Sequence, residues 1–317
     1  MGLQKKELWA NARMGFTCNI NYHYSIYTAC ICCCWEVLVE KSGVLNLGIE
    51  GMMVVGAIAA FAVGVTFESA TLAIISGAVA GAFLAFIFGL LTLNLLANQV
   101  ATGLALTIFG LGLSSLIGHS YVGKTFPGLP KLEITLLTDI PFLGPIIFGQ
   151  DILVYLSILS VFGVSWFLYR TRLGLVVRAI GENHDAAYSI GYSVKFVRMI
   201  VILVGGALAG LGGSYLSLAY TPFWVENMTA GRGWIALALV VFASWKPGRA
   251  LLGAYLFGGI TIIQMHAQGF DVQIPAQVMS SLPYLATIFV LVLISRDSSR
   301  TLLNAPACLG KNFQPSS

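Results

Sequence analysis

Long apolar runs alternate with short polar ones along most of the chain. They lie near Gly48–Thr66, Ala70–Leu93, Val100–His119, Ile152–Tyr169, Met199–Tyr220, Met228–Trp245, Ala250–Gln268 and Ser281–Ser295. Each is close to the length at which a helix crosses about 30 Å of hydrocarbon. Lipid cannot satisfy backbone N–H and C=O groups, so each run is expected to be helical. The pattern predicts an all-α, polytopic integral membrane helix bundle of about eight transmembrane helices, or nine to ten with short or re-entrant segments. Met228–Trp245 is the weakest run, because Arg232 interrupts it. A half-helix or an interfacial piece is the alternative there.

The same pattern divides the chain. Residues 1–40 form a divergent N-terminal segment, with a short extra span over Tyr22–Leu38 as the alternative reading. Residues 41–296 form the transmembrane domain, which carries a polar loop at 170–198. Residues 297–317 form a tail. The outer loop Tyr121–Asp151 holds four prolines and reads as ordered surface, because it is too short to build a separate core.

Charge then sets the orientation. The loop holds Arg170, Arg172, Arg178, Lys195 and Arg198 and is placed in the cytoplasm. Alternation puts fourteen of the seventeen Lys and Arg on that side; only Lys124, Lys131 and Arg232 fall outside. Both termini are then expected in the cytoplasm, with the chain in the inner membrane.

Composition agrees. The chain is 57% hydrophobic and 9% charged, with a mean hydropathy of +0.86, against about 25% charged residues in soluble domains. The pI near 8.7 does not point to nucleic acid, because the basic residues are not pooled on one segment; the expected surroundings are membrane lipid. Five of the six Cys lie between Cys18 and Cys34 without zinc-type spacing. They read as small apolar filler, or as a segment foreign to the fold.

Few motifs carry chemistry. Gly118–Thr125 matches the phosphate-loop pattern G-x-x-x-x-G-K-[ST], but an apolar helix precedes it and Pro127 and Pro130 follow. The motif needs a strand before it and a helix after it, so the match is read as coincidence. The four His are scattered and no hydrolase or metalloprotease pattern appears. No catalytic residue, metal site or cofactor is expected. Gly77-x-x-x-Gly81 and Gly206-x-x-x-Gly210, followed by Ser214, place small residues on helix faces; this suits close packing inside the bundle or, alternatively, a subunit interface. Asn46 and Glu50 stand at i, i+4 in a Gly-rich strip at the mouth of an apolar run. Glu50 is either a functional ionisable group or a carboxylate complementing a helix dipole. Asn46, Glu50, Gln99, Trp224 and Asn227 are the candidates for lining a substrate path.

The loop from Arg178 to Ser193 mixes charges with Ile180, Ala186, Ala187 and Ile190. Asn183 as N-cap and Gly191 as the C-terminal stop predict a short helix between them. An apolar ridge on such a helix suits a partner's groove; a helix lying on lipid headgroups is the alternative.

At this loop the sequence resembles a known family. Asp185-Ala186-Ala187-x-x-x-Gly191 is similar to the E-A-A-x-x-x-G coupling motif of ABC importer permeases. Ser42–Met53 and Gly231–Gly259 resemble permeases of the ribose/branched-chain-amino-acid superfamily, closest to its nucleoside and simple-sugar branch. The resemblance runs from about Glu40 to Pro306. It implies a second permease subunit, identical or not, an ABC ATPase subunit, and an external substrate-binding protein or lipoprotein. It also implies that Gly181, Glu182, Asn183, Asp185, Ala186, Ala187 and Gly191 form the ATPase-coupling loop, with ATP hydrolysed by the partner. Residues before about Trp35 do not resemble the family's apolar first span, so a frameshift or wrong start is one reading of them. An ion-coupled secondary transporter acting alone is the rival function, and it would require intramembrane carboxylates, of which Glu50 is the nearest.

Overall fold

The fold is a computed structural model that describes residues 30–130, 151–269, 275–295 and 304–314. The remaining parts of the divergent segment, the outer loop and the tail lie outside the described residues. Helix α1 covers residues 30–41. It is followed by α2 (Ile49–Phe67), α3 (Ala70–Gly89), α4 (Gln99–Gly118), α5 (Ile152–Arg170), α6 (Arg172–Glu182) and α7 (His184–Ser189). Then come α8 (Val194–Tyr215), α9 (Arg232–Phe242), α10 (Pro247–Gly269) and α11 (Ala276–Ser295). Helices α3 and α8 each run on into one π turn, at Leu90–Asn94 and Leu216–Tyr220. Helix starts are set by polar side chains that satisfy free N–H groups: Ser69 accepts from Leu72, Asn98 from Ala101, Asp151 from Val154 and Thr171 from Gly174.

Among the described residues, α2, α5 and the continuous helices Ala70–Asn94, Gln99–Tyr121 and Val194–Tyr220 are long and apolar enough to cross a membrane. Helices α10 and α11, of 23 and 20 residues, have spanning length at about 1.5 Å per residue. The run at Met228–Trp245 is different. Its helix α9 has 11 residues and reaches only about 16 Å. Positive φ at Asn227 and Ala230 keeps the preceding stretch out of the helix, and positive φ at Ser244 and Trp245 ends it. Arg232 is its first residue, with the guanidinium 5.0 Å from the Tyr220 ring. Eight full helical crossings are therefore not confirmed; this segment is a half-helix entered by an irregular descent.

The interior is built on small residues. Gly56, Gly77, Gly81, Gly206, Gly210 and Gly213 bring α2, α3 and α8 into backbone contact; a Cβ on Gly56 would lie 2.5 Å from the Gly210 Cα. These glycines pack inside the subunit. Large apolar side chains point outward instead: Ile75, Val79 and Phe83 on α3, Ile108 on α4, and Phe162 and Trp166 on α5 are all exposed. That inside-out distribution fits lipid as the solvent. Helix α1 is core rather than appendage: Cys30, Cys32, Cys33 and Cys34 are buried, and the Cys32 sulfur lies 3.5 Å from that of Met53 on α2. It also buries Glu36 and Glu40, two acids that the apolar-run pattern did not place in the bundle.

The phosphate-loop match gains no structural support. It follows α4, passes through the single 3₁₀ turn His119–Tyr121, and starts no helix up to residue 130.

Replacing Gly210 by Leu inserts a side chain between three backbones, at or beyond the roughly 3 kcal/mol upper end of overpacking costs. Gly112 has nothing within 4 Å of its Cβ direction. Expressed in membranes and measured by detergent-solubilised yield and thermal melting, Gly210→Leu is expected to be lost and Gly112→Leu to behave as the parent.

Candidate functional site

Two features stand out, one at the end of the bundle formed by α6 and α7 and one within it. The α6–α7 end gathers the last turn of α1, the start of α8, the turn after α9 and the segment 304–314. Glu40 accepts a hydrogen bond from Trp245 Nε1 (2.5 Å) and Lys41 donates to the Asn304 carbonyl (2.7 Å).

Helix α7 is capped as its sequence implies. The Asn183 side chain accepts from the Ala186 N–H at 3.0 Å. Gly191 has φ +98° and donates its N–H to the Tyr188 carbonyl at 2.9 Å, a left-handed turn that stops the helix without steric cost. The candidate coupling residues divide into an outward and an inward set. Glu182, Asn183, Asp185, Ala186 and Gly191 are exposed, beside Tyr188, Tyr192 and Ile190, which is 74% exposed. Gly181 and Ala187 are buried. Ala187 packs with Ile180, Val194 and Phe313, and a Cβ on Gly181 would collide with the Lys41 carbonyl. The result is a six-residue helix with an apolar ridge facing out and a firm base.

That base depends on a residue not singled out in the sequence. Arg198, at 0% exposure, donates from Nε to the Ser42 carbonyl (2.9 Å) and from Nη1 to the Lys311 carbonyl (3.2 Å). Its Nη2 lies 3.4 Å from His184 Nδ1. With Nη2 as donor, Nδ1 accepts and Nε2 carries the ring proton, 3.7 Å from Asp185 Oδ2. Burial and the Arg198 charge pull the His184 pKa below its ordinary value of 6.5, while Asp185 opposes them. Gly43 makes this possible: it has φ +87°, and a Cβ there would lie 2.6 Å from Arg198 Nη2.

The second feature surrounds Glu50. Its carboxylate is buried in the first turn of α2 and accepts from the N–H groups of Gly231 (2.8 Å) and Gly233 (2.6 Å). It thus meets the free N–H groups and positive dipole end of α9 rather than of its own helix alone. Gly233 has no room for a side chain, since a Cβ would lie 2.7 Å from Glu50 Oε2. Beside this junction is a cavity of about 630 Å³. Glu50, Asn227, Trp234, Tyr284 and Thr287 contribute to its wall, and the Tyr284 hydroxyl donates to the Ala230 carbonyl at 2.9 Å.

The five path candidates do not form one site. Glu50 and Asn227 share this cavity. Asn46 is buried and accepts from the Gly48 N–H (3.0 Å), shaping the turn into α2. Gln99 accepts from the Leu45 N–H (2.9 Å) and donates to Asn312 (3.3 Å). Trp224 is packed over Gly118 at the opposite end of the bundle. It lines a separate space of about 520 Å³ with Ser115, His119 and Glu226. Trp234, Tyr284 and Thr287 were not singled out in the sequence; they sit on helices whose apolar runs disguise them.

Comparison with known proteins adds the following. The sequence model of the family described as branched-chain amino acid transport system, permease component, matches residues 22–294. A putative glucose ABC transporter permease of Haloferax volcanii is 37% identical over 300 residues, covering 88% of this chain and 91% of its own. A guanosine ABC transporter permease of Bacillus subtilis is 32% identical over 293 residues, 87% of this chain and 91% of its own. A nucleoside ABC transporter permease of Lactococcus lactis is 34% identical over 165 residues, about half of each chain. No solved structure matches the chain.

Two outcomes follow from these geometries. A depressed His184 pKa means the unfolded chain takes up the proton first as pH falls. The stability is therefore full above the ordinary pKa of 6.5 and lost below it. The melting temperature of the purified subunit is expected to fall between about pH 7 and 5.5, and His184→Gln to flatten that slope. Glu50→Ala strands two N–H groups at a helix start and is expected to cost about 3 kcal/mol. Glu50→Gln, which keeps one acceptor, is expected to cost less; chemical denaturation of both variants checks the order.

Proposed function

Because the chain belongs to the family of branched-chain amino acid transport system permease components, we propose that it is the permease subunit of an ATP-binding-cassette importer for a nucleoside or a simple sugar. A transport subunit of this kind is not itself an enzyme. A partner ATPase supplies the energy, a second permease subunit completes the path, and an external binding protein delivers the substrate. In this reading α7 and the segment 304–314 beside it face the cytoplasm of a cell whose inner membrane holds the bundle.

The observation that carries the proposal is α7 itself: a six-residue helix presenting Ala186, Tyr188 and Ile190 outward from a buried base. A groove on the ATPase would take this ridge, as grooves take amphipathic helices. Closure of the ATPase would then bias the bundle between two states. The substrate class draws on the relatives named for glucose and guanosine and on the cavity wall. Trp234 and Tyr284 offer flat apolar faces to a sugar or base ring, while Glu50, Asn227 and Thr287 offer hydrogen bonds to its edge groups.

The test is uptake of labelled nucleosides and hexoses into proteoliposomes that hold the complete importer. ATP-driven uptake of one class is expected. Ile190→Asp, which places a charge on the ridge without touching the base, is expected to lower uptake by about tenfold or more with normal insertion. Uptake by this chain alone, driven by an ion gradient, would overturn the reading.

A further inference from the structure

We infer that the segment 304–314 is a strap across the α6–α7 end, in which Phe313 and Asn312 are positioning residues that hold α7 in register for transport. The inference rests on reading α7 as the ATPase contact.

The strap is tied to each segment around α7. The Cys308 N–H donates to the Gly181 carbonyl (2.9 Å) and its thiol to the Glu182 carbonyl (3.4 Å). The Gly310 N–H donates to the Gly43 carbonyl (3.2 Å). Lys311 supplies the carbonyl that receives Arg198. Asn312 Nδ2 donates to the carbonyls of Leu96 (2.6 Å) and Ala97 (3.3 Å), and its Oδ1 accepts from Gln99. Phe313, 4% exposed, closes the cluster of Ile180, Ala187 and Val194. Its ring centre lies 5.3 Å from His184 and 5.4 Å from Tyr188.

A helix of six residues has no stability of its own, because it is shorter than the length at which helices persist in water. Its orientation is set by what lies beneath it. On the side facing the bundle, α7 offers His184 and Ala187, and both touch the strap through Phe313. Asn312 pins the neighbouring end of the strap to the turn between α3 and α4. A push on the exposed ridge therefore passes into α8 through Arg198 and Val194, and into the α3–α4 turn through Asn312. Without Phe313 the ridge remains available to a partner, but α7 can tilt under load and the push is dissipated.

Two measurements on the complete importer in proteoliposomes decide this, using Phe313→Ala, Asn312→Ala and Phe313→Leu. Backbone hydrogen exchange over residues 183–191 is expected to rise about tenfold in Phe313→Ala, with less change in Phe313→Leu. ATP hydrolysis is expected to stay within about twofold of the parent while uptake falls about tenfold, so that ATP consumed per substrate rises about tenfold. Asn312→Ala is expected to move the same ratio, and Phe313→Leu to restore most of it. Unchanged exchange, or raised exchange with an unchanged ratio, would overturn the inference. So would failure of both alanine variants to insert, since the strap would then serve folding only. If the parent importer shows no ATP-driven uptake, the functional reading fails, and the exchange data still report whether the strap holds α7.

Discussion

Arg198 has no accessible surface, and a guanidinium does not shed its charge when buried. Removing such a group from water costs several kcal/mol. Its donors meet two carbonyls and a ring nitrogen, and no carboxylate pairs with it among the described residues. The Ser42 carbonyl lies just beyond the last turn of α1, where helix carbonyls carry partial negative charge. Because hydrogen bonds to charged groups contribute about 1.5–3 kcal/mol each, the three segments that supply these acceptors are drawn to one point. The end of α1, the base of α7 and the strap cannot separate without stranding a cation.

The rest of the loop end follows from that arrangement. Gly43 clears space for the guanidinium, and Gly181 lets the end of α6 reach the Lys41 backbone. Burial and the Arg198 charge disfavour protonation of His184, whose Nδ1 lies 3.4 Å from Arg198 Nη2 at the start of α7. The outer side of α7, with Ala186, Tyr188 and Ile190, remains exposed to a partner. The interior relies on a different force. Gly77, Gly81, Gly206 and Gly210 allow backbones to touch where lipid provides no hydrophobic drive for helix association.

Glu50 joins these two regions. It sits one turn beyond the strip that Asn46 bends, and it anchors the start of the half-helix α9 in the bundle. A non-helical stretch at that depth is tolerated where protein or a cavity satisfies its backbone. The Glu50 carboxylate meets that condition for Gly231 and Gly233. The ionisable group and the irregular chain thus explain each other, and the cavity lies beside both.

Apolar run length was enough to establish a helical membrane bundle, because lipid leaves the backbone no alternative. Asn183 and Gly191 revealed α7, because caps act within a few residues of chain. Other features were invisible at that range. The run at 228–245 leaves a full crossing and a half-helix both open until the positive φ angles at Asn227, Ala230, Ser244 and Trp245 decide for the half-helix. Gln99 looks like a path residue until Asn312, 213 positions away, is beside it. Phe313 in a polar tail and Arg198 at the mouth of a span acquire meaning only from partners brought together by the fold. Local hydrogen bonding and hydrophobic periodicity are written in consecutive residues, whereas a buried cation and its acceptors are defined only once distant segments share the same few ångströms.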